Sequence, residues 1–442
     1  MSQEVLVNKE VPMKLEIQSI DIQDLQPGPK TYAKDRVLYV NLNELREILL
    51  KDGRFKSVDI HLVYPGDRVR IVNLLDVVQP RCKIDKVEAD FPGFIGRLQL
   101  AGDGRTRSLR GVGVLVSNPC TNRKYSALLD MSGLAAEMSR YGKMKHIHVA
   151  PAMSEDTEER DFEDAVKIAG LKTAVYLARG AEGYPVDETE VFELDIPNLD
   201  KRSNLPRVAY YYQIYSPQHD HIGISDPCFY GTDVRNLTPT IIHPNEVLDG
   251  GVVGAHTIRA LDTYTIQNHG VIKELYKRHG KDLLFAGVVC GVANLEPVPR
   301  KRQAVMASNL VKNVLGADGV ILTKIHGGLP HVDLALVAEE CEKLGVKTAI
   351  FIQPLISYGT LADTLLFNAE AVNLIITVGA TMERINIPLD AERFLGGTAD
   401  TKIYCPDPII QHAGDPTIDV EQFLIAGVHD HLGAANIIVK EY

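Results

Sequence analysis

The sequence predicts an α/β protein: a β-rich α+β N-terminal domain followed by a Rossmann-like domain with a doubly wound parallel sheet. Three observations predict it. Over residues 207–385, near-continuous apolar runs of strand length alternate with helical patterns of roughly 10 to 15 residues, as in a parallel sheet covered on both faces. Over residues 14–116, shorter β-rich runs are punctuated by Pro27-Gly28, Asp52-Gly53 and Pro65-Gly66 turns. Between the two halves, the polar stretch PNLDKRSNLP (Pro197 to Pro206) is bracketed by prolines and reads as a boundary. The expected domains are 1–196 and 207–385, with a C-terminal segment, 386–442, packing on the α/β domain.

Taken in order, MKLEIQSIDI, VLYVN, VDIHLV and VRIVNLL read as strands, because β-formers cluster or alternate in each. Leu42 to Leu50 reads as a helix that Asn41 can cap. GRLQLAGDGRTRSLRGVGVLVS reads as a hairpin turning at Gly102-Asp103-Gly104. Residues 161–180 carry apolar positions at helical spacing and end on Gly180, and TEVFELDI follows as a strand. In the second half the strands are RVAYYYQIY, LLFAGVVCGV, GVILTKI, TAIFIQPL and VNLIITVG. The helices between them are VIKELYKRHG, RQAVMASNLVKNVLG, VDLALVAEECEKLG and TLADTLLFNAE. No GxGxxG follows the first of these strands, which argues against a dinucleotide. A ligand is expected beyond the carboxyl ends of the strands, where strand order reverses.

Composition excludes several classes. The formal net charge is −11, and the only basic clusters are KRHGK (Lys277 to Lys281) and PRKRQ (Pro299 to Gln303), so no nucleic-acid partner is expected. No apolar run reaches the length of a membrane span, and the first residues lack an apolar signal core. A cytoplasmic location is the default expectation. The six cysteines (82, 120, 228, 290, 341 and 405) include no CxxC pair and fit reduced thiols better than a disulfide framework. Walker A, GxSxG and zinc-ribbon patterns are absent.

A set of segments in fixed order carries a family resemblance. They are MKLEIQSIDI with VLYVN, VYPGDRVRIVNLLDVVQPR, FPGFIG, GDGRTRSLRG, LLDMSG, DAVKIAGLKTA, PTIIHPNEVLDGGVV, IKELYKRHGK, GADGVILTK and LGVKTAIF. Together they resemble the glycine/sarcosine/betaine reductase component B subunits, the precursor of pyruvoyl-containing chains, related also to the D-proline reductase proprotein. The resemblance implies a cysteine after a DGxxVxxN-type stretch, self-cleavage there, and a pyruvoyl group that holds the substrate amine as an imine. It further implies a partner subunit whose cysteine or selenocysteine attacks as the C–N bond breaks reductively. An amine leaves readily only once its nitrogen carries positive charge, and an imine supplies that.

Two departures from the family pattern bear on function. After Asp249 to Val253 comes Gly254-Ala255-His256-Thr257, so Thr257 stands where the family has its cysteine, and no cysteine occurs between Cys228 and Cys290. Cleavage at Thr257 would leave a 2-oxobutyryl group; otherwise the chain stays intact, and pyruvoyl is not expected. After GVILTKI, the family's acidic glycine-rich loop is replaced by His326, Gly327, Gly328, Leu329, Pro330, His331, Val332 and Asp333. This loop leads from a strand's carboxyl end into a helix, a ligand-binding position. His256, Thr257, Cys290, His326, His331 and Asp333 are therefore catalytic candidates. Gly327 and Gly328, with His219 and His221 of QHDHIG, are substrate-binding candidates. Imidazole and thiolate also hold divalent metals such as zinc, which makes His256, Cys290, His326 and His331 a candidate metal set.

Plainer roles stand beside these. HDH at 219–221 also reads as a polar loop, Cys290 as a small buried hydrophobe, and His146 and His148 as structural strand residues. His429 and His431 read as loop or cap residues, while His243 lies in a family-matching segment and fits either role. Three readings remain open at this stage. One is an unprocessed catalytic subunit of a hetero-oligomeric reductase acting on a C–N or C–S bond of a small amino-acid or amine derivative. The second is a metal-dependent lyase or hydrolase. The third is a non-catalytic scaffold subunit.

Overall fold

The structure is a computed structural model that describes residues 13–119, 127–199, 203–214, 227–234, 237–255, 261–293, 297–323, 330–352, 372, 374–377, 383–397, 417–430 and 432. Its first half holds two larger sheets and a small three-stranded one formed by Asp24–Pro27, Tyr32–Lys34 and Val37–Val40. One is four-stranded and brings together β1 (Met13–Asp21), β4 (Arg81–Lys83), β5 (Gly104–Arg110) and β9 (Glu188–Leu194), in the order β9-β1-β5-β4. The second contains β2 (Phe55–Val63), β3 (Val69–Val78), β6 (Val112–Ser117), β7 (Ala127–Asp130) and β8 (Lys145–Met153), in the order β7-β3-β6-β8-β2.

Local sequence explains the helices of this half. The helix α1 (Leu42–Leu50) starts where expected, with Asn41 Oδ1 accepting the Glu44 N–H at 3.1 Å. The long helix α2 (Glu159–Gly180) buries Phe162, Ala165, Val166, Ala169, Ala174 and Leu177. Small residues on that face bring its backbone close to the sheet, and Gly170 sits directly over Val116.

The expected hairpin at Gly102-Asp103-Gly104 does not form. Residues 97–103 carry no strand; β5 runs parallel to β1, and β6 lies between β3 and β8 in the other sheet. One residue makes the transfer. Gly111 has φ +81°, and the Ile22 carbonyl oxygen occupies the space a Cβ would need, so the chain turns from one sheet to the other there.

In the second half, β10 (Arg207–Ile214), β11 (Thr240–Ile242), β12 (Leu284–Val292), β13 (Gly319–Thr323), β14 (Lys347–Ile352) and β15 (Ile375–Thr377) form one sheet, ordered β11-β12-β10-β13-β14-β15. All adjacent pairs are parallel except β11 with β12. In chain order the parallel strands read 2-1-3-4-5, with an antiparallel edge strand. The predicted alternation of strand and helix is present, whereas the 3-2-1-4-5-6 order of a dinucleotide-binding Rossmann sheet is not. Periodicity shows that strands and helices alternate, but the side each crossover takes is settled by packing.

Among the described residues, five α-helices accompany this sheet: α3 (Pro244–Leu248), α4 (Thr263–Gln267), α5 (Gly270–Arg278), α6 (Pro297–Asn309) and α7 (Pro330–Lys343). TLADTLLFNAE lies outside the described residues. The halves share a core: Leu15, Ile17, Phe192 and Leu194 of β1 and β9 pack with Tyr210, Val247, Ile272 and Phe285. The C-terminal segment divides between the halves. Strand β16 (Arg384–Pro388) pairs with β18 (Thr417–Glu421), and β17 (Arg393–Leu395) pairs with β3 of the first half. Leu432 instead joins the core of the second half, its carbonyl accepting from the Val271 N–H at 2.8 Å.

Among the described residues no helix is long and apolar enough to cross a membrane. Cys82, Cys228, Cys290 and Cys341 are buried and form no disulfide with one another.

Candidate functional site

Strand order reverses at β10, whose neighbours β12 and β13 leave it on opposite sides. Side chains alternate along a strand, so Tyr210 and Tyr212 share one face and Tyr211 and Gln213 the other. On the first face, the Tyr210 hydroxyl lies 3.0 Å from His269 Nε2 and is also hydrogen-bonded to Thr323 Oγ1. His269 is the N-cap of α5, where its Nδ1 accepts the Ile272 N–H at 3.4 Å. Burial pushes this imidazole down to about 3, so it is neutral at physiological pH. The Tyr210 and Tyr212 rings stack at 5.8 Å, and each meets the His269 ring edge-on, at 5.1 and 5.2 Å. The Tyr212 hydroxyl is buried and has no hydrogen-bond partner among the described residues.

On the opposite face, α6 and α7 begin beside each other at the carboxyl edge of the sheet. Arg300 pairs with Asp333 at 2.8 Å, and Gln213 Nε2 donates to the Pro330 carbonyl at 3.4 Å. Burial raises the Tyr211 phenol, and the Asp333 charge adds to the effect.

A second polar cluster closes the seam between the halves. Arg140 pairs with Asp430 at 3.0 Å and with Asp262 at 3.7 Å, and donates to the Tyr141 hydroxyl at 2.9 Å and to Thr265. Nearby, Lys167 of α2 donates to the Gly254 carbonyl, and the Gly254 N–H donates to Thr263 Oγ1 at 2.9 Å. The Thr263 hydroxyl and N–H both donate to Asp76, at 2.5 and 2.8 Å. Thus β3 and α2 of the first half hold the backbone on both sides of residues 256–260.

Asp76 provides a pH test of this clamp. Burial raises its carboxyl to about 6, against the pull of Lys167 and the Thr263 hydrogen bonds. The folded state therefore holds the proton more tightly than the unfolded chain does. The stability linked to this proton is complete below about pH 4 and is lost as pH rises through about 6. At about 1.4 kcal/mol per pKa unit, the loss amounts to about 3 kcal/mol. In urea titrations, wild type is expected to lose stability relative to Asp76→Asn between about pH 4 and 6, with no further change above that. A pH-independent difference would refute the assignment.

Of the residues singled out in the sequence, His219, His221, His256, Thr257, His326, Gly327 and Gly328 lie outside the described residues. Cys290 sits in β12, fully buried and paired in register with Tyr212, and burial pushes its thiol well up. His331 and Asp333 lie buried in the first turn of α7, with Asp333 engaged by Arg300. Two of the four proposed metal ligands, His256 and His326, fall outside the described residues, among which no three His, Cys, Asp or Glu side chains gather as a metal site would need. The loops after β10 and β13 leave from neighbouring strand ends, because Tyr212 pairs with Thr323.

His146 and His148 are buried in β8, bonded to the Tyr141 carbonyl at 2.7 Å and to Ser117 Oγ at 2.9 Å. His243 caps α3 through its Nδ1. Sequence reasoning missed Asp76, Arg140, Lys167, Tyr210, Asp262 and His269. One signal was present: a carboxylate within the fully buried strand VRIVNLLDVV needs a partner.

Comparison with known proteins gives a consistent picture. The sequence profile described as glycine/sarcosine/betaine reductase component B subunits matches residues 13–440. The chain is 31% identical over 425 residues to the glycine reductase complex component B subunits alpha and beta of Acetoanaerobium sticklandii, covering 95% of this chain and 92% of that one. The protein of the same description from Peptoclostridium acidaminophilum is 30% identical over 436 residues, covering 97% and 100%. The sarcosine reductase complex component B subunit alpha of P. acidaminophilum is 33% identical over 343 residues, covering 76% and 79%. No solved structure matches.

Proposed function

The chain belongs to the glycine/sarcosine/betaine reductase component B family, and from that premise we propose that it is a substrate-holding subunit of a hetero-oligomeric reductase complex. The reaction in this reading is reductive cleavage of the C–N (or C–S) bond of a small amino-acid or amine derivative. The observation that carries it is the cluster of neutral buried polar groups, Tyr210, His269, Thr323 and Tyr212, at the point where strand order reverses.

Cys82, Cys290 and Cys341 are poor electron donors. Burial pushes Cys82 up to about 11, Cys341 up to about 12, and Cys290 well up. Thiol redox chemistry needs the thiolate, so a partner subunit carrying an accessible cysteine or selenocysteine supplies the two electrons in this reading. The C–N bond breaks, the carbon takes up the electron pair and a proton, the amine leaves protonated, and the partner's thiol or selenol joins a second thiol as a disulfide or selenosulfide, which the added dithiol reduces again. Purifying the tagged chain with its native partners and measuring ammonia or amine release from glycine, sarcosine and betaine under dithiol tests this. Release is expected only when chain and partner are both present. Undiminished release without the chain would make it dispensable and overturn the reading.

The donor set does not fit a pyruvoyl group. No cysteine lies between Cys228 and Cys290, Thr257 stands at the family's processing position, and the chain is read as unprocessed. Intact mass of the denatured chain, taken with and without a carbonyl-reactive hydrazine, checks this. One unlabelled species near 48.7 kDa is expected. Two fragments divided at His256/Thr257, the C-terminal one labelled, would instead establish a 2-oxobutyryl cofactor.

A further inference from the structure

The polarity of the hydrogen-bond chain at the switch point can be assigned. His269 Nδ1 accepts the Ile272 N–H, so the neutral ring carries its proton on Nε2. Nε2–H therefore donates to Tyr210 Oη, and the Tyr210 O–H donates to Thr323 Oγ1. The hydrogen on Thr323 must then point away from Tyr210, and no acceptor for it stands among the described residues. The Tyr212 O–H has no partner either. Both residues are under 2% exposed, and they pair in register across β10 and β13. Two buried O–H groups without acceptors among the described residues thus stand on register partners at the carboxyl edge of neighbouring strands. Each such group costs about 1–3 kcal/mol if it stays unpaired.

The geometry points to a carboxylate-binding subsite in which the Tyr212 and Thr323 hydroxyls each donate to one oxygen of a small substrate. The subsite deepens the reductase reading, since it names what the same rim recognises. Two donors and no acceptor favour a group with two acceptor oxygens. The N-cap of α5 is His269, whose ring packs 5.2 Å from that of Tyr212, so the amino end of this nine-residue helix begins beside Tyr212. Asp430, whose charge adds to the upward shift of the Tyr210 phenol, is paired with Arg140 at 3.0 Å. His269 and Tyr210 act as positioning residues, because they orient the Thr323 hydrogen without needing to touch the ligand.

Calorimetric titration of the full chain with acetate, glycine and methylamine tests the subsite without requiring turnover. Acetate and glycine are expected to bind, and methylamine is not. Tyr212→Phe and Thr323→Val should each weaken acetate at least about tenfold, as for loss of a hydrogen bond to a charged group. Thr323→Ser should retain the affinity. Tyr212→Phe removes only an unpaired oxygen, so its ligand-free melting temperature should not fall, which a purely structural hydroxyl would not allow. Acetate affinity unchanged by either substitution, methylamine binding as well as acetate, or no heat from either carboxylate would each overturn the proposal. Carboxylate binding with this pattern in a chain that supports no turnover would sink the reductase reading and leave the subsite standing.

Discussion

Arg140→Met is expected to destabilise the fold by about 3–5 kcal/mol, the cost of removing one partner from a buried ion-pair cluster. The guanidinium bridges Asp262 and Asp430, whose side chains are 7% and 1% exposed, and it also donates to Tyr141 and Thr265. Three chain segments that meet nowhere in sequence depend on this one side chain: the loop before β8, the start of α4, and the segment at Asp430. Burial already raises the Asp430 carboxyl, against the pull of Arg140 and of the Leu432 N–H. Without Arg140 the folded pKa of Asp430 rises further, so the variant's stability falls as pH climbs from the unfolded value near 4 toward that higher pKa. Urea titrations of wild type and variant should diverge as pH rises. Arg140→Lys should recover only part of the loss, because a single ammonium cannot serve both carboxylates with a planar fork. A Met variant within about 0.5 kcal/mol of wild type would mean that the cluster is open to water and carries no weight.

The second large effect is expected at Lys83, which joins the first half to the DGG turn of the second. Its Nζ donates to Asp249 at 2.7 Å, to Thr106 at 2.9 Å and to the Asp103 carbonyl at 2.8 Å, and its side chain is 5% exposed. Asp249 also accepts from the Gly102 N–H and from Thr106, so it cannot be released to water when the lysine is lost. Lys83→Met should therefore cost about 3–5 kcal/mol. Adding Asp249→Asn should restore a good part, because it removes the uncompensated charge while keeping an acceptor for the backbone. A double-mutant cycle checks this. Strictly additive single effects would show that Lys83 and Asp249 are not coupled.

How far the sequence could be read follows from the range of each interaction. The Asn41 cap, the helix at Leu42–Leu50 and the alternation of strands with helices depend on neighbours within a few residues, and all are found. The hairpin expected at Gly102-Asp103-Gly104 failed, because Gly and Asp mark a turn but do not say which strand receives the chain next. Gly111, close against Ile22, makes that choice. At the site, the sequence drew attention to histidines and to Cys290. The groups that meet at the switch point are Tyr210, Tyr212, His269 and Thr323, drawn from two strands and a helix cap up to 113 positions apart.

The sequence by itself determined the family, the α/β class and the lack of any cysteine between Cys228 and Cys290, since these rest on residue identity and local periodicity. Tertiary structure alone decided the 2-1-3-4-5 strand order, the clamp of Asp76 and Lys167 on the Gly254 segment, and the bridging of two buried carboxylates by Arg140. Those features depend on which distant groups share a low-dielectric space. A buried charge or hydroxyl must find its partner wherever packing puts one, and chain order does not record that.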